Sequence, residues 1–252
     1  MTAATVTISD AQKQQFEDEG YFILERVIPE AHLEILRGEC QRFIDMMDAE
    51  MDKAGTDVLG ISHRNKRYFV SLRYKESAHL RDFLFSDLMA DICQATLGET
   101  AYLFWEQYVV KSAEVGMKFS WHQDSGFVDT EHKPYISCWC PLDDVNEQNG
   151  TVYLLPFSRA GTKQKVEHMR DPQTNDKIGY HGDDPGEVVI VPAGSVVVFS
   201  STAFHRSGPN ITDRMRRVYL AQYSAEPILK PDGTPYGLVE PVLRDGTPVQ
   251  AP

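Results

Sequence analysis

The stretch KFSWHQDSGF (Lys118–Phe127) sets an imidazole and a carboxylate two residues apart, His122 and Asp124. On a strand, residues two apart point the same way, so this pair can present a neutral nitrogen and an anionic oxygen to one point. His205, in SSTAFHRSGPN, offers a third donor. It follows the run GSVVVFSS and precedes a Gly-Pro-Asn turn, at a strand end where barrels carry their sites. Two histidines and a carboxylate leave three positions of an octahedral metal open, which suits non-haem Fe(II) holding a co-substrate and O2 together. The same donors serve zinc, and a His-x-Asp pair can also be a histidine merely oriented by its carboxylate. The chain has no HExxH, GxSxG, phosphate loop or dinucleotide fingerprint. His132, in the polar segment DTEHKP, is the one other histidine close enough in sequence to compete as a ligand.

The residues after His205 supply a partner for an anion. If the Gly208-Pro209-Asn210 turn closes a hairpin centred near Asn210 and Ile211, Arg216 lies opposite His205 and Arg214 opposite Ser207. Arg216, Val218 and Leu220 then share one face, and Arg217 points away. A guanidinium held among apolar residues beside a metal ligand requires an anion. A dicarboxylate that chelates iron at one end and meets the guanidinium fork at the other has the shape of 2-oxoglutarate. A surface arginine in the basic run DRMRR is the other reading of the same residues.

These side chains need a frame. The N-terminal third reads as helical: Ser9 and Gln12 form a capping box, and Gly20 stops the first helix. FILERVI (Phe22–Ile28) reads as a short strand. Pro29 opens a second helix whose face carries Leu33, Leu36, Cys40, Phe43, Met47 and Met51, ending at Gly55. Leu80–Leu97 is a third helical candidate. From Ala101 onward the pattern changes to short β-branched and aromatic runs: AYLFWEQYVVK, YISCWCPL, TVYLLPF, EVVIVP, SVVVFS and RRVYLAQY. Asn149-Gly150 signals a hairpin between two of these runs, and Pro192-Ala193-Gly194 marks another turn. Helices followed by six or more strands predict an antiparallel sandwich or barrel with a helical part, about 9–97, packed on a β core, about 101–224. One domain over 1–252 is expected, with an irregular tail from Pro227.

Composition narrows the partners. The 252 residues are 42% hydrophobic, enough for one sizeable core, and the net charge of −12 argues against non-specific nucleic-acid binding. No signal peptide or membrane span is expected from the sequence. Four cysteines (Cys40, Cys93, Cys138, Cys140) show no disulfide or zinc spacing and read as reduced core thiols of a cytoplasmic protein.

Three pieces, in order, carry a family resemblance: WHQD (Trp121–Asp124), WCPLDDVNEQNGTVYLLPFSRA (Trp139–Ala160) and HRSGPNITDRMRR (His205–Arg217). Over roughly Ser9 to Ser224 the chain resembles the phytanoyl-CoA dioxygenase family of Fe(II)/2-oxoglutarate oxygenases. The resemblance implies a double-stranded β-helix, jelly-roll or cupin-like, mainly β with flanking helices. It implies His122, Asp124 and His205 as iron ligands and Arg216, eleven residues after the distal histidine, as the 2-oxoglutarate anchor. Ser207 matches a residue holding the same carboxylate, Trp139 a tryptophan beside the co-substrate, and Lys111 and Gln107 polar contacts to 2-oxoglutarate or substrate. The chemistry implied is O2-dependent hydroxylation coupled to decarboxylation of 2-oxoglutarate to succinate and CO2, with ascorbate as the reductant in vitro. Related halogenases have a small residue in place of Asp124, so hydroxylation is expected.

The substrate is expected to be a small molecule. ISHRNKRYFVSLRYK (Ile61–Lys75) is a basic island in an acidic chain, and placing Arg67 and Arg73 at the pocket mouth predicts an anionic group on that substrate. A solvated basic strand is the alternative. DPQTNDKIGYHGDDPGE (Asp171–Glu187) is long enough to form a lid. The competing class is a metal-binding barrel without oxygenase activity, which binds a ligand or assists an isomerisation and has no use for a dicarboxylate anchor.

Overall fold

The computed structural model describes residues 6–114, 117–172 and 176–250. The helical part begins with α1 (Asp10–Glu19), with the reciprocal Ser9–Gln12 capping box formed and Gly20 in the left-handed region at φ 83°. After β1 (Tyr21–Leu24), Pro29 caps α2 (Glu30–Ala54), whose stripe Leu33, Leu36, Cys40, Phe43, Ile44, Met47 and Met51 is buried before Gly55 ends it. The second half of FILERVI leaves the strand, with Arg26 at φ 53°.

The N-terminal third is not all helix. β2 (Val58–Leu59), β3 (Ser62–His63) and β4 (Arg67–Ser71) extend the main sheet. The helix expected over Leu80–Leu97 is two, α3 (Ala78–Leu84) and α4 (Asp87–Leu97), broken at Phe85-Ser86, where Ser86 turns extended and caps α4.

The β core follows: β5 (Ala101–Lys111), β6 (Phe119–His122), β7 (Ile136–Pro141), β8 (Val152–Leu155), a short α5 (Phe157–Ala160), β9 (Met169–Arg170), β10 (Lys177–Ile178), β11 (Glu187–Val188), β12 (Val196–Ser200), β13 (Phe204–Ser207), β14 (Arg216–Ser224), β15 (Glu240–Arg244) and β16 (Thr247–Pro248). The main sheet runs β1-β12-β7-β14-β5-β4-β3-β2, and the smaller one β11-β8-β13-β6. Among the described residues the two share no ladder, so they form a jelly-roll sandwich and not a hydrogen-bonded closed barrel. The tail from Pro227 is less irregular than expected, because β15 pairs with β5.

Strand alternation sorts β14 between two cores. Tyr219, Ala221 and Tyr223 pack against the helices. Val218 and Leu220 face the smaller sheet with Trp139, Val197, Phe199, Val152 and Leu154. All four cysteines are buried free thiols. Among the described residues no helix is long and apolar enough to cross a membrane.

Two turns join different partners from those expected. Asn149-Gly150 does not close a hairpin: β7 belongs to the main sheet and β8 to the smaller one, so the chain crosses between them. Gly208-Pro209-Asn210 crosses likewise. β13 pairs with β6 and β8, and β14 with β7 and β5. Asn210 is fully buried, and its amide donates to the carbonyls of Lys111, Ser112 and Arg214 and ties the turn to the end of β5.

Candidate metal and co-substrate site

His122 ends β6 and Asp124 begins a 3-10 turn, so the pair is not two positions of one strand as the spacing suggested. His205 pairs directly with His122 across β13 and β6, and their ring centroids are 4.0 Å apart. Asp124 Oδ1 lies 3.8 Å from His122 Nε2 and 3.5 Å from His205 Nε2. Each Nδ1 faces a backbone carbonyl, Ser120 at 2.8 Å and Ala203 at 3.1 Å. A carbonyl only accepts, so Nδ1 carries the proton and the Nε2 lone pair is free for a metal. Asp124 Oδ2 accepts from Ser137 Oγ at 2.5 Å and Gln222 Nε2 at 2.9 Å, which leaves Oδ1 turned to the histidines.

Burial, aided by His205, pushes the His122 imidazole down to about 3 and so disfavours its protonation. Burial alone would raise the Asp124 carboxyl, but the two rings and its hydrogen bonds hold it down at about 2. Two imidazole nitrogens and one carboxylate oxygen, their ligating atoms within 4.8 Å of one another, fit a divalent metal with open positions. His132 is not in this cluster: its Nε2 lies 3.0 Å from Ser125 Oγ and its Nδ1 2.8 Å from the Thr130 carbonyl.

The triad opens into a cavity of about 330 Å³ between the sheets. At one end three cations stand in a row across neighbouring strands, with Arg216 opposite Lys111 and Lys111 opposite Arg67. They are only 1%, 4% and 4% exposed. Like charges placed opposite each other in a sheet repel, and burial removes the water that would screen them. Burial, reinforced by Arg216 and Arg67, pulls the Lys111 ammonium well down, and burial pulls Arg216 down to about 10.

Among the described residues no carboxylate lies within ion-pair distance of Arg216 or Lys111, and Arg67 has Asp176 at 3.9 Å. Arg216 donates to the Val109 and Gly150 carbonyls, while its buried Nε finds no partner. Lys111 Nζ donates to Ser207 Oγ at 2.8 Å and to the Gly208 carbonyl. This end of the cavity therefore fits one carboxylate of a co-substrate by charge and by its unfilled donor.

The cavity also takes in Trp139, 5.8 Å from the Arg216 guanidinium, and Gln107, which accepts from Ser71. The basic island does not act as a unit. Arg67 lines the cavity, whereas Arg73 lies outside it, paired with Glu50 and Glu76, and Arg64 pairs with Asp52 and Asp57. Placing Arg73 at the mouth is thus corrected: acids of α2 and of the turn beside it hold the arginine. In the long segment 171–187, residues 173–175 lie outside the described residues. Asp176 accepts from the Ser120 amide, and Gly179 donates to the Trp121 carbonyl.

Two residues that the sequence reading passed over, Ser137 and Gln222, orient Asp124. Strand parity could have found them, since Ser137 is two from Trp139, and Gln222 continues Arg216, Val218 and Leu220.

The fold and site together define a jelly-roll sandwich with a two-histidine, one-carboxylate cluster able to hold a metal, and with the guanidinium of Arg216 lining the same cavity. The chain belongs to the phytanoyl-CoA dioxygenase family (PhyH), whose sequence profile matches residues 16–218, and so to the Fe(II)- and 2-oxoglutarate-dependent dioxygenases. It is 23% identical to phytanoyl-CoA dioxygenase domain-containing protein 1 of Danio rerio, over 84% of this chain and 88% of that one. It is 26% identical to methylphosphonate hydroxylase of Gimesia maris, over 87% and 82% respectively. EctD from S. alaskensis, solved with 2-oxoglutarate and 5-hydroxyectoine, shares the fold at a TM-score of 0.70 and 20% identity, covering 97% of this chain and 86% of that one.

Proposed function

We propose that this protein is a single-domain hydroxylase of a small molecule that carries an anionic group on an apolar body. In this reading His122, Asp124 and His205 hold Fe(II), and Arg216, Lys111 and Ser207 take the distal carboxylate of 2-oxoglutarate. Trp139 and Gln107 flank the co-substrate. With Fe(II), 2-oxoglutarate and O2 bound, the site gains an oxidant able to hydroxylate a C–H bond while 2-oxoglutarate goes to succinate and CO2.

The chain's part is orientation and exclusion of water. The backbone bonds fix both imidazoles, and Ser137 and Gln222 fix the carboxylate. Phe119 and Phe199 pack 4.6 and 4.7 Å from the two rings and keep the metal side dry.

The row of buried cations carries the proposal. A dicarboxylate accounts for Arg216 and Lys111, which leaves Arg67, held by Asp176 at 3.9 Å, to meet an anion on the substrate. Phe69, Phe104, Trp105, Tyr135 and Tyr236 line the rest of the cavity and suit an apolar body. A relative named for methylphosphonate agrees with the charge of this class.

The test is a metabolite screen for substrate-stimulated succinate formation with Fe(II), 2-oxoglutarate and ascorbate. Anionic compounds should dominate the hits, with Arg67→Gln raising KM for them. No Fe(II)-dependent succinate under any condition would reduce the chain to a metal-binding jelly roll, and cationic hits alone would refute the role of Arg67.

A further inference from the structure

The half-buried imidazole of His168 uses both ring nitrogens. Nδ1 lies 2.9 Å from the Val166 carbonyl, and Nε2 lies 2.9 Å from the amide nitrogen of Gln123. The amide can only donate and the carbonyl can only accept, so the ring is neutral with its proton on Nδ1. Gln123 is the residue between His122 and Asp124. Its own side chain, fully buried, donates to the Gln164 and Thr202 carbonyls and accepts from the Val166 amide. Thr202 lies in the turn that leads into His205. One residue thus ties both donor-bearing segments to the strap 164–168.

Two glycines shape the seat of the ring. A Cβ on Gly126 or on Gly179 would lie 2.5 Å from His168, and neither glycine has a positive φ. Space, not backbone freedom, is what requires glycine there. Gly126 follows Asp124 by two residues, and Gly179 is hydrogen-bonded to Trp121, so both flank the HQD loop.

We propose that His168, acting through the Gln123 amide, is a positioning residue that fixes the peptide between the two metal donors. This rests on the metal site proposed above. Without the acceptor the Gln123 N–H loses its partner, and the peptide can turn Asp124 away from the histidines.

The test is anaerobic Fe(II) titration of the metal-free protein by calorimetry, with a thermal melt of every variant. His168→Leu should weaken Fe(II) about 10–100-fold, the range for partners that orient metal ligands. His168→Gln, whose amide oxygen can accept from Gln123, should recover most of that loss, which a merely space-filling role would not predict. Gly126→Ala should match His168→Leu, and combining the two should add nothing, since both break the same contact. Parent-like affinity in His168→Leu, or additive losses in the double variant, overturns the proposal. Should His168→Leu fail to fold, Gly126→Ala and Gly179→Ala carry the comparison, and parent-like Fe(II) affinity in both overturns it. If the parent itself binds no Fe(II), the metal site falls; if the parent binds and His168→Leu binds equally, only the role of His168 falls.

Discussion

Arg216→Lys isolates the co-substrate anchor from the metal. Arg216 is 1% exposed, donates to two backbone carbonyls and keeps one buried nitrogen without a partner. A lysine there retains the charge but cannot fork onto a carboxylate. Breaking one buried charge-assisted pair costs about 2–5 kcal/mol. The lower figure alone raises the Kd for 2-oxoglutarate about 30-fold.

Thermal melts of Mn(II)-loaded protein read this without turnover. At a concentration near 100 times Kd, 2-oxoglutarate should stabilise the parent by about 2.7 kcal/mol. For a chain of this size that raises Tm by about 5–11 °C. At the same concentration Arg216→Lys should gain only about 0.9 kcal/mol, or about 2–4 °C. Mn(II) affinity should hold, because no metal donor has changed. A full shift in Arg216→Lys, with loss of the shift in the exposed Arg214→Lys, would refute the assignment of the anchor.

Ala at His122, Asp124 or His205 should each abolish Fe(II) binding by calorimetry while far-UV circular dichroism stays native; retained binding in His205→Ala would reopen the choice of third donor. Ser137→Ala and Gln222→Leu should each lower Fe(II) affinity about 10-fold or more by releasing Asp124 Oδ2, and parent-like titrations would exclude that role. Lys111, depressed by burial and by Arg216 and Arg67, must be protonated to hold an anion. The affinity for 2-oxoglutarate should therefore fall as pH rises through its lowered pKa, below the ordinary lysine range. The ligand-free fold should gain stability as pH rises from that lowered pKa to the ordinary lysine value, because between the two the unfolded chain binds more protons. Lys111→Arg should flatten both profiles. Arg67→Gln should raise the KM of an anionic substrate while uncoupled 2-oxoglutarate turnover persists, and Arg73→Gln should leave KM at the parent value.

What could be read in the sequence was what depends on near neighbours in the chain. The Ser9–Gln12 box, the glycine stops at Gly20 and Gly55 and the buried stripe of α2 follow from helical periodicity and backbone preference. The shared face of Arg216, Val218 and Leu220 follows from strand alternation, which holds whatever a strand pairs with. The choice of pairing partner does not follow from local pattern. Gly208-Pro209-Asn210 looks like a hairpin turn, yet β14 joins the other sheet, where Asn210 satisfies the carbonyls of Lys111 and Ser112 at the end of β5 and of Arg214 just ahead of β14. Arg216 consequently meets Lys111 and Arg67 in a row and faces the triad from across the cavity, a concentration of charge that no spacing predicts. The HxD spacing put His122 and Asp124 side by side on one strand, yet that strand ends at His122 and Asp124 opens a 3-10 turn, while Ser137, Gln222 and His168, which hydrogen-bond to the loop, come from other segments of the chain. Long-range pairing and burial decided which arginines of the basic island face the cavity: acids beside α2 hold Arg64 and Arg73, and Arg67 turns inward because β4 pairs with β5.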